Sequence, residues 1–125
     1  MLKVVIIGVG GSIGAILRYL VSGIVQNNVQ SAAFPYGTMA VNLLGCLLIG
    51  IGGGLMTSRQ LFSPEMRSFF FIGILGSFTT FSTFSLETFN LIKNGQNTTA
   101  LIYLGGSIII GLLAVYLGFI ISKTI

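Results

Sequence analysis

The chain has 125 residues, 54% of them hydrophobic and only 6% charged, where a soluble domain carries roughly 25% charge. Its mean hydropathy of +1.01 places it in a bilayer, and its net charge of +4 comes from six basic and two acidic residues with no histidine. A single cysteine excludes an intrachain disulfide framework, the scattered basic residues do not form a nucleic-acid footprint, and the chain is read as a non-enzyme.

Four apolar stretches of about 20 residues, each long enough to cross about 30 Å of hydrocarbon, cover roughly residues 4–25, 37–56, 68–92 and 98–122. Short polar loops join them, so the expected fold is an all-α integral membrane protein, one domain over residues 1–125, with four transmembrane helices. The first stretch opens Lys3-Val-Val-Ile-Ile-Gly8-Val-Gly10-Gly11-Ser12-Ile-Gly14, which imitates a strand entering a dinucleotide-binding glycine loop. That fingerprint needs an acid about twenty residues later, whereas the first acid here is Glu65. Gly10 and Gly14 instead form a GxxxG face for close helix packing. Without a small-residue cleavage site, and with three spans after it, the stretch is expected to stay as a helix. Arg18 lies inside it, where an arginine either serves function or snorkels to the interface.

Gln26 to Ala33 is polar and expected to be irregular, and Pro35 precedes the second span. There Asn42 is the one strong hydrogen-bonding side chain; it acts either as interhelical glue or as an amide donor to a permeating anion. Cys46 is read as packing, and Gly50, Gly52, Gly53 and Gly54 make another close-packing face. After Arg59, the sequence Ser63-Pro64-Glu65 is a helix start: cap, first-turn proline, and acid at the positive end of the dipole.

The third span holds the most unusual stretch, Gly73 to Phe84, with two glycines and five hydroxyl residues in GILGSFTTFSTF. Gly and Ser are weak helix formers, and Ser and Thr compete for backbone hydrogen bonds, so the helix is expected to break between Gly76 and Thr80. A break frees carbonyls, which suit a cation, and amides, which suit an anion. Phe81 and Phe84 follow three apart on one face, and aromatic edges carry partial positive charge. The alternative is that small residues allow close packing and the phenyl rings are bulk. Glu87, the one acid at membrane depth, either ends a pore, pairs with a cation, or lies at the interface. Lys93-Asn94-Gly95 closes the helix, with Gly95 suited to a left-handed cap. In the last span Tyr103, Ser107 and Gly111 line one face, offering either a polar track or ordinary packing. With the N-terminus inside, Lys3, Arg59, Arg67 and Lys123 lie on the cytoplasmic side against Lys93 and Arg18, a modest bias. The abundant glycine faces imply at least a dimer.

The strings Gly10-Gly11-Ser12-Ile13-Gly14-Ala15 with Arg18-Tyr19, Gly37-Thr38 with Val41-Asn42 and Gly45, and Gly76 with Thr79-Thr80-Phe81-Ser82-Thr83-Phe84 resemble the Fluc (CrcB) family of fluoride channels. The resemblance spans all four helices in order. It implies an antiparallel, dual-topology homodimer in the bacterial plasma (inner) membrane, with two fluoride pores and a sodium ion at the dimer interface. Gly76 and Thr79 would give backbone carbonyls to the sodium, and Phe81 and Phe84 would be the pore phenylalanines. Asn42 would donate to fluoride, with Ser82 and Thr83 adding hydroxyls. Tyr103 and Ser107 would begin the polar track, and Arg18 would face the aqueous vestibule. Two positions depart from the family pattern: Ser77 replaces a second glycine, and Gly111 stands where many members have a hydroxyl. Some relatives pair two different chains of fixed, opposite orientation, so a heterodimer with a paralogue stays open. The implied activity is passive fluoride efflux driven by the negative-inside potential. The rival is a small proton-coupled exporter of organic cations, likewise four-helical, with Glu87 as its only candidate proton carrier. A third reading is a non-transporting membrane assembly subunit, which would move no ion.

Overall fold

The computed structural model describes residues 1–29, 33–59 and 62–125. The side chain of Arg59, expected to help set topology, lies outside the described residues. The regular elements among the described residues are all helical: α1 (Leu2–Asn28), α2 (Tyr36–Arg59), α3 (Pro64–Arg67), a π-helical segment (Ser68–Leu75), α4 (Gly76–Phe78), α5 (Phe81–Lys93) and α6 (Asn97–Thr124). The pieces from Pro64 to Lys93 together make a third span, so four helical stretches among the described residues are long and apolar enough to cross a membrane.

The helix ends follow from local chemistry. Ser63 Oγ accepts from Met66 N at 3.2 Å, and Pro64 sits at the first position of α3, where no N–H is required. At the other end of the third span Gly95 adopts φ +75°, the left-handed cap for which its lack of a Cβ fits it. One sequence expectation needs correction: the polar run from Gln26 is not loop from its start, because α1 continues through Asn28. Gln26 stays helical and reaches across the turn, donating to the Phe34 carbonyl at 3.3 Å and accepting from Gly37 N at 3.1 Å. Polarity there ties the connection to the helix end. Residues 30–32 of the same run lie outside the described residues.

The helices pair in two parallel couples through bare backbone. On α1, a Cβ at Gly10 would lie 2.6 Å from the Phe69 carbonyl oxygen, and one at Gly14 would strike the Ile74 carbonyl. The π segment therefore rests directly on α1, and Gly73 meets Gly10 from the other side. In the second couple, Gly50 of α2 faces the Val115 carbonyl, and Gly118 of α6 faces the Leu47 carbonyl and the Ile51 amide. Apolar surface gains nothing by leaving lipid, so contacts this close are what holds such helices together. Most large apolar side chains of α1, α5 and α6 point outward, as lipid or a second protein surface allows.

Candidate functional site

The centre of the third span is interrupted. After α4, Thr79 (φ −82°, ψ 158°) and Thr80 (φ −151°, ψ 118°) are extended, and α5 begins at Phe81. In an unbroken helix, Thr80 N–H would bond the Gly76 carbonyl and Thr83 N–H the Thr79 carbonyl. Side chains take both donors instead. Thr80 N donates to Asn42 Oδ1 at 2.8 Å, and Thr83 N donates to Thr80 Oγ1 at 3.3 Å, capping α5. Asn42 completes its grip by donating from Nδ2 to the Thr80 carbonyl at 3.0 Å. One turn along α2, Gly45 makes room for the Thr79 side chain. Thr79 itself bonds back to the Leu75 carbonyl through N and Oγ1, both at 3.0 Å.

The Gly76 and Thr79 carbonyls thus lose the donors that a continuous helix would supply. Gly76 has an ordinary helical φ of −63°, and a Cβ there would meet only the Phe71 carbonyl oxygen at 3.6 Å. Among the described residues of one chain, none requires a glycine at this position. Gly76, Thr79, Thr80, Asn42, Cys46 and Phe81 border a cavity of about 310 Å³.

Beyond the break the two phenyl rings have different surroundings. Phe81 is 79% exposed and Phe84 9%, with ring centroids 5.9 Å apart. Phe84 packs on the fully buried Tyr103 at 5.1 Å, and Phe34 meets Tyr103 edge-on at 5.4 Å. Thr80 Oγ1 donates to Thr83 Oγ1 at 3.0 Å and lies 3.4 Å from Ser82 Oγ, so the hydroxyls cluster at the start of α5. On α6, Ser107 Oγ is buried without a hydrogen-bond partner among the described residues, an uncommon state for a hydroxyl. At Gly111 a Cβ would meet Cys46 Sγ at 3.5 Å, so a thiol lies beside that position of the Tyr103 and Ser107 face.

Arg18 lines a second cavity, of about 350 Å³, together with Thr80, Thr83, Thr38 and Ser22. This puts it at the depth of the break and not at a helix end.

The polar contacts of Glu87 went unread in the sequence. Thr38 Oγ1 donates to its Oε1 and Tyr103 Oη to its Oε2, each at 2.7 Å. A signal was present: Thr38 and Asn42 are four apart and share a face of an otherwise apolar helix. That face of α2 therefore serves two levels of the third span, Asn42 at the break and Thr38 at the acid within α5.

Residues 5–119 match the family described as CrcB-like protein, Camphor Resistance (CrcB). Among curated proteins, the chain is 41% identical over 123 residues to a protein of Methylobacillus flagellatus named fluoride-specific ion channel FluC, covering 98% of this chain and 96% of that one. Proteins of the same name from Maridesulfovibrio salexigens (41% identical, covering 100% of this chain and 98% of the relative) and Hydrogenovibrio crunogenus (43%, covering 94% and 89%) are similar to it over comparable spans.

Proposed function

This chain belongs to the CrcB family, and on that footing we propose that it is a fluoride-specific channel that lets fluoride leave the cell passively. The observation that carries the reading is the interruption at Thr79–Thr80, held open by Asn42, with Phe81 and Phe84 directly beyond it. Fluoride is small and strongly hydrated, so a path for it must replace water with donors that do not bind too tightly. Arg18 raises the local anion concentration in its cavity. Asn42 spends its acceptor and one of its two amide hydrogens on Thr80, and the second hydrogen is available to an anion. Ser82 and Thr83 add hydroxyls, the edges of Phe81 and Phe84 add partial positive charge, and Tyr103 and Ser107 extend the path along α6. The unpartnered Ser107 hydroxyl supports this role, since a passing anion or its water would be its missing partner.

The functional unit we propose is an antiparallel dimer, a homodimer or a pair with a paralogous chain, in the bacterial inner membrane. Support comes from Gly76, whose open face suits close approach from outside the chain, and from the 79% exposure of Phe81. The Gly76 and Thr79 carbonyls fit a sodium ion at that interface. They are hard oxygen donors, and the hydrogen bonds expected of them in a helix are diverted. Bound there, sodium would supply a fixed positive charge joining the two subunits.

The test is fluoride release from liposomes containing the purified chain, followed with a fluoride electrode after the potential is set. Release far faster than from empty vesicles, with chloride retained, is expected. Release no faster than from empty vesicles would overturn the reading. The exporter alternative has no support in the family assignment, and proton-coupled uptake of a quaternary ammonium ion that vanishes in Glu87→Gln would be needed to revive it.

A further inference from the structure

A cavity of about 630 Å³ opens where α1 ends, α2 begins, α5 ends and α6 begins, and among the described residues Glu87 is the one charged side chain on its wall. Glu87 is half-buried, six residues from the end of α5, or about 9 Å along the helix axis. Among the described residues it forms no ion pair; its two oxygens receive only the hydroxyls of Thr38 and Tyr103. Lys93 is six positions on and so points away from the Glu87 face, and Arg18 lines the neighbouring cavity without pairing to the acid. The negative charge of Glu87, partly withdrawn from water, favours a counter-charge, and no described residue supplies one.

The surrounding wall is chemically suited to bring one from solution. Asn90 in α5 and Asn94 at its C-cap follow Glu87 at three and seven positions, and both line the cavity with Gln96. Gln26, also on the wall, is already engaged with Phe34 and Gly37. Each Glu87 oxygen keeps a lone pair beyond the hydroxyl it accepts. One carboxylate, two amide oxygens and room for water make an oxygen-only donor set, the kind preferred by Mg²⁺, Ca²⁺ and Mn²⁺. Among the described residues no cluster of three or more His, Cys, Asp or Glu exists to cage a metal, so the ion would be held largely through water.

We propose that this cavity is a weak binding site for a hard divalent cation, with the Glu87 carboxylate as its charged ligand and the Asn90 and Asn94 amides above it. The site is distinct from the Gly76 and Thr79 carbonyls, which lie at the break. Low ligand charge places its dissociation constant at about 10⁻⁴ to 10⁻³ M.

The experiment is a titration of purified protein with Mn²⁺ in fluoride-free buffer containing sodium, with free Mn²⁺ read by its electron paramagnetic resonance signal. One ion bound per chain is expected, displaced by Ca²⁺ or Mg²⁺ and not by further sodium. Glu87→Gln should weaken binding at least ~10-fold, and Asn90→Leu with Asn94→Leu about 3-fold, while Arg67→Gln at the opposite end changes nothing. Gel filtration confirms that each variant is folded, and the exposed Asn90 and Asn94 substitutions serve if Glu87→Gln does not assemble. No binding by wild type up to ~10 mM, or equal binding by wild type and Glu87→Gln, overturns the proposal. Because the readout is free of flux, a chain that binds Mn²⁺ and passes no fluoride would sink the channel reading alone.

Discussion

Replacing Asn42 with leucine keeps the side-chain volume and removes both hydrogen bonds that hold the interruption. Thr80 then loses the acceptor for its N–H at 2.8 Å and the donor to its carbonyl at 3.0 Å. A net hydrogen bond contributes about 0.5–1.5 kcal/mol, and a buried group left unpaired costs about 1–3 kcal/mol. Thr80 is only half-buried, so water offsets part of the loss, and a total of about 2–3 kcal/mol is reasonable for the pair. At 1.36 kcal/mol per tenfold, that is a ~30- to 150-fold change in an opening equilibrium. Hydrogen exchange on peptides covering Gly76 to Phe84 is the assay, with Thr80 and Thr83 exchanging faster by about that factor. Asn42→Asp separates the two bonds: it keeps the acceptor for Thr80 N–H but sets a carboxylate against the Thr80 carbonyl. It should exchange faster than wild type and carry less fluoride than Asn42→Ser. Wild-type protection in Asn42→Leu would refute the view that α2 holds the break open.

Other outcomes follow from the same geometry. Gly118→Ala places a methyl against the Leu47 carbonyl and Ile51 amide and should lower stability by about 1–3 kcal/mol. Gly53→Ala meets nothing within 4 Å and should raise it by up to ~1 kcal/mol through helix propensity; denaturation midpoints distinguish them. Phe81→Ile should leave the fold intact and cut fluoride flux, whereas Phe84→Ile should also lower the unfolding midpoint, because only Phe84 is buried against Tyr103. Tyr103→Phe keeps the ring contacts and removes the donor to Glu87, with an expected loss of about 0.6–1.7 kcal/mol and a slower efflux trace. Replacing sodium by a large organic cation during purification should shift the proposed dimer toward monomer in light scattering, an effect that Arg67→Gln would not reproduce.

Much of this architecture was legible because it rests on local chemistry. The four apolar runs, the Ser63-Pro64-Glu65 start, the Gly95 cap and the weak helix near Thr80 each follow from residues adjacent in sequence. The π segment was not legible. Ser68 to Leu75 reads as ordinary apolar helix, and its altered winding is found where the backbone rests on the glycines of α1. The amide of Asn42 in an apolar span demands partners, but Thr80 lies 38 positions away, beyond any periodicity. Glu87 stands out as an acid at membrane depth, but its tie to Thr38 across 49 positions depends on how α2 crosses α5.

The Asn42 to Thr80 pairing also bears on how the protein is made. The interrupted segment exposes backbone groups that hydrocarbon cannot solvate, and their partner is an amide on the helix synthesised just before it. Released singly into lipid, this segment would carry that deficit alone. We therefore expect the insertion machinery to retain the second helix until the third has docked against it, so that the two enter the bilayer as a hairpin. Asn42→Leu should then show a biogenesis defect in a glycosylation-mapping insertion assay, even where the mature protein tolerates the change.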